Sequence, residues 1–230
     1  MFKIFCKVIS GVYSINVKTI IFNFKYLPFN HAIHLPIKVS KNVYLKKVQG
    51  KINIEGNVRY GMIEIGFGNV GIFDKNVSRS IWEVSGNVVF KGTAKIGHGS
   101  KISVSKLGKL IIGDNFRISA ESSIVCWKEI VFGNNCLISW DNLIMDTDLH
   151  SITDSLGNLL NAPKKIYIGN NVWIGCRCLI LKGTQIPDDS IIAANSVLNK
   201  ILIGQNKIFG GSPITTLRDN VYWNDLNPTA

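Results

Sequence analysis

Residues 168–199 read IGNNVWIGCRCLILKGTQIPDDSIIAANSVLN, and Ile168, Ile174, Ile180, Ile186, Ile192 and Leu198 fall six apart without a slip. A period of six fits neither the 3.6-residue turn of a helix nor the two-residue alternation of a half-buried strand. It fits a solenoid in which every sixth residue points into one continuous core. Gly169 and Gly175 follow their isoleucines directly, and Asn170-Asn171 and Asp188-Asp189 are residue types that tolerate turns.

The same period recurs upstream. Phe90, Ile96 and Ile102 are six apart, as are Ile112, Ile118, Ile124 and Ile130, and Phe132, Ile138 and Ile144 resume it after a two-residue slip. From Gly50 onward, short β-branched pieces are punctuated by Gly56, Gly61, Gly66 and Gly68 in a looser register, as in a terminal repeat. Burying one Ile is worth roughly 1.5–3 kcal/mol. A dozen or more such positions make a stack of coils with parallel, in-register sheets the free-energy minimum. The expected layout is all-β: a cap or extension over residues 1–49, the solenoid over 50–203, and an exit loop and tail over 204–230 ending in a short helix or cap.

The period fails once between good repeats, at residues 145–167 (MDTDLHSITDSLGNLLNAPKKIY), which is therefore expected to be an extruded loop. A loop of that length inside a compact domain is usually functional or disordered. It carries His150, the one histidine C-terminal to His98. His31 and His34 lie among Pro28 and Pro36, which argue against a helical metal site, so a structural or substrate-facing role is expected for them and no metal site is expected.

The 230 residues carry a net charge of +11. Such a balance points to solvated faces or to an anionic partner: a nucleotide phosphate, a phosphorylated lipid or a membrane surface. No nucleic-acid-binding motif is present. The first residues (MFKIFCKVISGVYSINVKTIIFNF) are apolar and basic, but lysines interrupt every run long enough to span a bilayer, and no signal-cleavage pattern follows them. They read as a cap on the solenoid end, with peripheral membrane contact as the alternative. The five cysteines contain no C-x-x-C pair, and Cys136 falls on the core register. Free thiols in a cytoplasmic protein are expected, with no metal and no disulfide.

The hexads, VWIG at 172–175, ILKG at 180–183, AANSVLNK at 193–200 and GGSPI at 210–214 together resemble the hexapeptide-repeat acyltransferases. The MDTDLH loop is similar to that of sugar and polysaccharide O-acetyltransferases, relatives of the maltose and galactoside acetyltransferases. The resemblance covers about residues 50–218. It implies a left-handed parallel β-helix, a homotrimer with sites between neighbouring subunits, acetyl-CoA as donor, and a sugar or cell-envelope glycan as acceptor. It also implies His150 as general base, with Asp146 or Asp148 orienting its ring and Glu121 as a weaker orienting candidate. Trp173 would line the pantetheine or acetyl end of the site, and backbone N–H groups near Gly175 or Cys176 would stabilise the oxyanion; Ala193, Ala194, Gly211 and Pro213 would border the pantetheine, and Lys182, Lys200 and Arg218 the CoA phosphates. Ser119 stands where galactoside relatives carry Asn. An N-acetyltransferase of an amino sugar is the close alternative. A β-helical carbonic anhydrase fails for want of three suitably spaced histidines, and an ice-binding surface for want of threonine ranks.

Overall fold

A computed structural model describes residues 16–224. Short parallel strands stack into three sheets that form the faces of a triangular prism. Face A runs from Ile37–Val39 through seven further parallel strands to Lys207–Gly210, and one antiparallel strand, Thr215–Asp219, closes it. Face B holds seven strands from Val43–Val48 to Val197–Leu198, and face C six from Lys51–Ile54 to Gln185–Ile186. Each coil visits A, B and C in turn. Every hexad residue named above is buried, including all six of the 168–199 run. Register pairs such as Ile102↔Ile124↔Ile144↔Ile180↔Leu198 stack the same position of successive coils.

The Asn-Asn and Asp-Asp pairs build the edge between faces C and A. The side chains of Asn134, Asn170 and Asp188 each accept a backbone N–H from the preceding coil, at Asp114 (2.8 Å), Asn134 (2.9 Å) and Asn170 (2.7 Å). The next residue in each turn, Asn115, Asn135, Asn171 and Asp189, takes a left-handed backbone with φ of 52–56°. Asn and Asp pay least for that conformation among residues with a side chain. Turn chemistry and hydrogen-bonded ladder thus come from one dipeptide.

Two boundaries differ from expectation. The first coil begins at Ile37, not residue 50. Ile37–Val39 pairs in parallel with Ile63–Phe67, and Val43–Val48 with Ser80–Val84 through a bulge between Leu45 and Lys47. The sequence 38–47 (KVSKNVYLKK) has the period-two alternation of strands at Val39, Val43 and Leu45, but that bulge and the 68–79 loop break the hexad, so the pattern does not show that these strands belong to the first coil. At the other end, residues 207–219 form a hairpin rather than an irregular exit loop; its turn contains the cis Ser212–Pro213 peptide. Residues 225–230 and the first 15 lie outside the described part.

The N-terminal segment forms α1 (Val17–Tyr26) and the one-turn α2 (Phe29–Ala32), which includes His31 despite the flanking prolines. Helix α1 seals the open edge of face A with side chains. Asn23 exchanges two bonds with the Ile37 backbone (2.7 and 3.1 Å), and Thr19 two with Val39 (3.2 and 3.0 Å). An exposed strand edge would otherwise offer unpaired N–H and C=O groups. Phe22 and Tyr26 pack against Trp82, whose Nε1–H donates to the Tyr26 hydroxyl at 3.0 Å.

Candidate active site

The extruded loop leaves face B after Met145 and rejoins face C at Ile166, so it stands on the B–C edge. One knot holds it. Lys182, from the same edge of the following coil, donates to the Asp148 carboxylate at 2.5 Å and to the Asn161 carbonyl at 2.7 Å. The Asn161 amide donates to Asp148 and to the His150 carbonyl, both at 2.8 Å, and its side-chain oxygen accepts from the Ile152 N–H at 2.7 Å. The Lys182 ammonium and Asn161 amide hold the Asp148 carboxyl below its ordinary range. The tip is a small hairpin bridged at Thr153 and Leu159 around an Asp154 turn. His150 is exposed, beside Leu149 at φ 64°.

Three of the expected site residues have partners other than those expected. Asp146 is the first. It is fully buried, and its two oxygens accept the Trp127 and Lys128 backbone N–H groups at 2.6 and 2.8 Å, with the Cys126 thiol nearby at 3.7 Å. A buried carboxylate is retained when such donors satisfy it, so Asp146 anchors the loop's root to the coil beneath. Asp148 is committed to Lys182 and Asn161 rather than to the imidazole. Lys182, expected at a CoA phosphate, is the loop's tether. Asn161 is the member of this knot for which the sequence offers only a turn signal.

Glu121 is also spoken for. Burial alone would raise its carboxyl, but bonds from Ser78 (2.6 Å) and Lys101 (2.9 Å) outweigh that and hold it low. Cys126, Cys136, Cys176 and Cys178 are free. Burial raises the thiols of Cys126, Cys136 and Cys178, that of Cys136 to about 12. Among the described residues no His, Cys, Asp and Glu cluster has the makings of a metal site.

The remaining expected donor residues gather elsewhere. Trp173 points outward from face A, between its register partners Leu137 and Ile191. Its indole donates to the Ser139 hydroxyl at 3.2 Å, and its ring meets Trp223, which is itself tied to the Asn171 carbonyl at 2.7 Å. Gly175, Ala193 and Ala194 sit at the adjoining A–B edge. A Cβ at Gly175 would fall 2.7 Å from the Ala194 nitrogen, and one at Gly210 would fall 2.9 Å from the Ala193 Cβ. The coils therefore leave no room for a side chain at Gly175 or Gly210, while Ala194 beside them is exposed. Gly211 and Pro213 are exposed in the hairpin turn above it, and Arg218 is exposed on the closing strand. Lys200 lies on the B–C edge with Lys182.

A pocket of about 300 Å³ opens on face A, lined by Glu64, Phe67, Lys95, Arg117, Ser119 and Leu137 among others. Leu137 links it to Trp173, one coil away on the same face. The expected site residues thus gather in two places. One is the His150 loop on the B–C edge. The other comprises Trp173, the small-residue edge and this pocket, across the prism.

Residues 165–200 match the bacterial transferase hexapeptide family model of six repeats. Residues 165–200 thus carry the hexapeptide repeat, and the prism has the left-handed β-helix fold. The chain is 34% identical over 111 residues to the galactoside O-acetyltransferase of Escherichia coli K12, an alignment covering 47% of this chain and 53% of that protein. It is 33% identical over 106 residues to the polysialic acid O-acetyltransferase of Neisseria meningitidis, covering 46% and 49%. The hexapeptide-repeat chain thus spans about half the length of these curated relatives. The solved structure of the polysialic-acid-specific acetyltransferase NeuO superposes with a TM-score of 0.51 at 21% identity, covering 84% of this chain and 80% of that one, a likeness of fold.

Proposed function

We propose that the protein transfers an acetyl group from acetyl-CoA to a hydroxyl of a sugar or cell-envelope glycan, with His150 as general base. The observation that carries this reading is the exposed imidazole on a loop that the Lys182–Asp148–Asn161 knot holds in place. A hydroxyl is a poor nucleophile at neutral pH, and an imidazole is suited to accept its proton as it attacks a thioester. The C–O bond forms, the C–S bond breaks, and the proton held by His150 passes to the departing thiolate.

The two half-sites fit together between neighbouring copies of the chain. Leu149, Ile152, Leu156, Leu159 and Leu160 are all exposed on the loop, an apolar surface suited to packing on a second prism. A closed ring of three parallel prisms brings each His150 loop to the next chain's Trp173 and small-residue edge. There Gly175, Ala193, Ala194, Gly211 and Pro213 allow close approach of the pantetheine. Lys200 and Arg218 are free to meet its phosphates, and the Lys95–Arg117 pocket is placed for the acceptor. We place the reaction in the cytoplasm, with a lipid-linked acceptor reached through membrane contact of the N-terminal segment.

Galactoside and polysialic acid O-acetyltransferases among the relatives favour oxygen over nitrogen as acceptor. The test is acetyl-CoA-dependent thiol release across sugars, nucleotide sugars and lipid-linked oligosaccharides. A product lost in mild base is an ester, and one that persists is the amide of the alternative reading. Thiol release that survives His150→Ala would remove the proposed base.

A further inference from the structure

Helix α1 is more apolar on its outside than on its inside. Thr19, Phe22, Asn23 and Tyr26 face the prism. Val17, Ile20, Ile21 and Phe24 occupy i, i+3, i+4 and i+7 on the opposite face, and all are exposed; Phe29 and Ile33 continue that surface across α2, at 73% and 51% exposure. Isolated exposed apolar residues are ordinary, but an ordered stripe of six is a docking face.

Charge identifies the occupant. Residues 1–54 contain nine lysines (3, 7, 18, 25, 38, 41, 46, 47 and 51) and no Asp or Glu; the first carboxylate is Glu55. Of the chain's +11, nine therefore belong to this segment and two to the other 176 residues. Lys25, Lys41 and Lys51 are exposed, while Lys46 and Lys47, also exposed, share Glu83 at 3.1 and 3.6 Å. A polar pocket of about 290 Å³ beside α1 is lined by Lys18, Lys41 and Arg79 together with Asn42, Asn76 and Ser78. Lysines bordering an apolar helical face are the composition of an interfacial helix on anionic lipid. A second copy of the chain seated on this face would bring Lys18, Lys25 and Lys41 against their own kind. No described helix is long and apolar enough to cross a membrane, and the geometry here is that of a helix lying in the interface.

We propose that the outer face of α1 and α2 docks the protein on an anionic lipid surface, with Ile20, Ile21, Phe24 and Phe29 entering the headgroup boundary and the flanking lysines meeting lipid phosphates. This deepens the membrane contact invoked above, but it does not depend on the acyl-transfer reading, because its readout is binding. The full chain is sedimented with vesicles of phosphatidylcholine alone or of phosphatidylcholine with phosphatidylglycerol. The expected result is roughly tenfold more protein on the anionic vesicles, declining as salt is raised. The double variant Ile21→Glu, Phe24→Glu, altered only at exposed positions, loses roughly tenfold of that binding while keeping its circular dichroism spectrum. Binding undiminished in the double variant, equal binding to neutral vesicles, or no binding to either overturns the proposal. So does a change of oligomeric state in the double variant by sedimentation velocity without loss of vesicle binding, which would assign the face to a second copy.

Discussion

Asp146→Ala separates an anchoring role from a catalytic one. The wild-type carboxylate satisfies two backbone N–H groups, at Trp127 and Lys128, in a fully buried position. Alanine removes the charged acceptor from both donors, which lie part-buried on the turn between Cys126 and Glu129. A hydrogen bond to a charged group contributes about 1.5–3 kcal/mol, and a stranded buried donor costs about 1–3 kcal/mol. Two such donors put the loss at about 3–6 kcal/mol. For a chain of this size each kcal/mol moves Tm by about 2–4 °C, so the midpoint should fall by roughly 10 °C or more. The Trp127 and Lys128 amides should exchange faster with deuterated solvent than those of neighbouring coils. At a temperature where the variant is folded, turnover should stay within about threefold of wild type, because the carboxylate never meets the reacting groups. A Tm within a degree or two of wild type together with a hundredfold loss of turnover would refute the reasoning and return Asp146 to the site.

Three further perturbations follow from the same geometry. The Asp148 carboxyl is held low by Lys182 and Asn161, so its contribution to loop order is present above the unfolded value near pH 3.9 and is lost as pH falls through the folded one; proteolytic cutting within residues 148–161 by an acid-active protease should rise steeply below about pH 4, and Lys182→Met should show that susceptibility already at neutral pH. Cys126, Cys136 and Cys178 are buried with raised thiols, so a thiol reagent at pH 8 should modify them only on unfolding, while the half-buried Cys176 reacts in the native protein. Ile180→Ala empties a fully buried position stacked between Ile144 and Leu198 and should cost about 2–5 kcal/mol by denaturant titration, with little cost for the exposed Ile203→Ala.

The core was legible because it is periodic: each hexad residue is a local statement that the coil above repeats. The Asn-Asn and Asp-Asp pairs were legible as turns for the same reason, though their ladder of side chain to backbone bonds is seen only once coils are stacked. What escaped the sequence was non-local. Ile37–Val39 and Val43–Val48 lie in coils whose period is broken by a bulge and by the 68–79 loop, so nothing near them in sequence announces their partners 26 and 37 residues on. Asp146 and Asp148 look alike in MDTDLH, yet one meets backbone 18 and 19 residues upstream and the other a lysine 34 residues downstream. Which partner each takes depends on where the loop's root sits on the prism. The Gly and Pro of the terminal GGSPITTLR suggest an irregular exit, but they make the turn of the closing hairpin.

The central claim is that His150 acts together with the small-residue edge of a neighbouring chain. Ala194→Trp, at an exposed position, would block that edge, and His150→Ala would remove the base; each alone should lower acetyl-CoA thiol release by at least about a hundredfold. Co-expressed in equal amounts, the two variants assemble at random, and a site built from two chains regains one intact pairing in about four. The account predicts that the mixture recovers about a quarter of wild-type activity. A mixture no more active than either variant alone would contradict it.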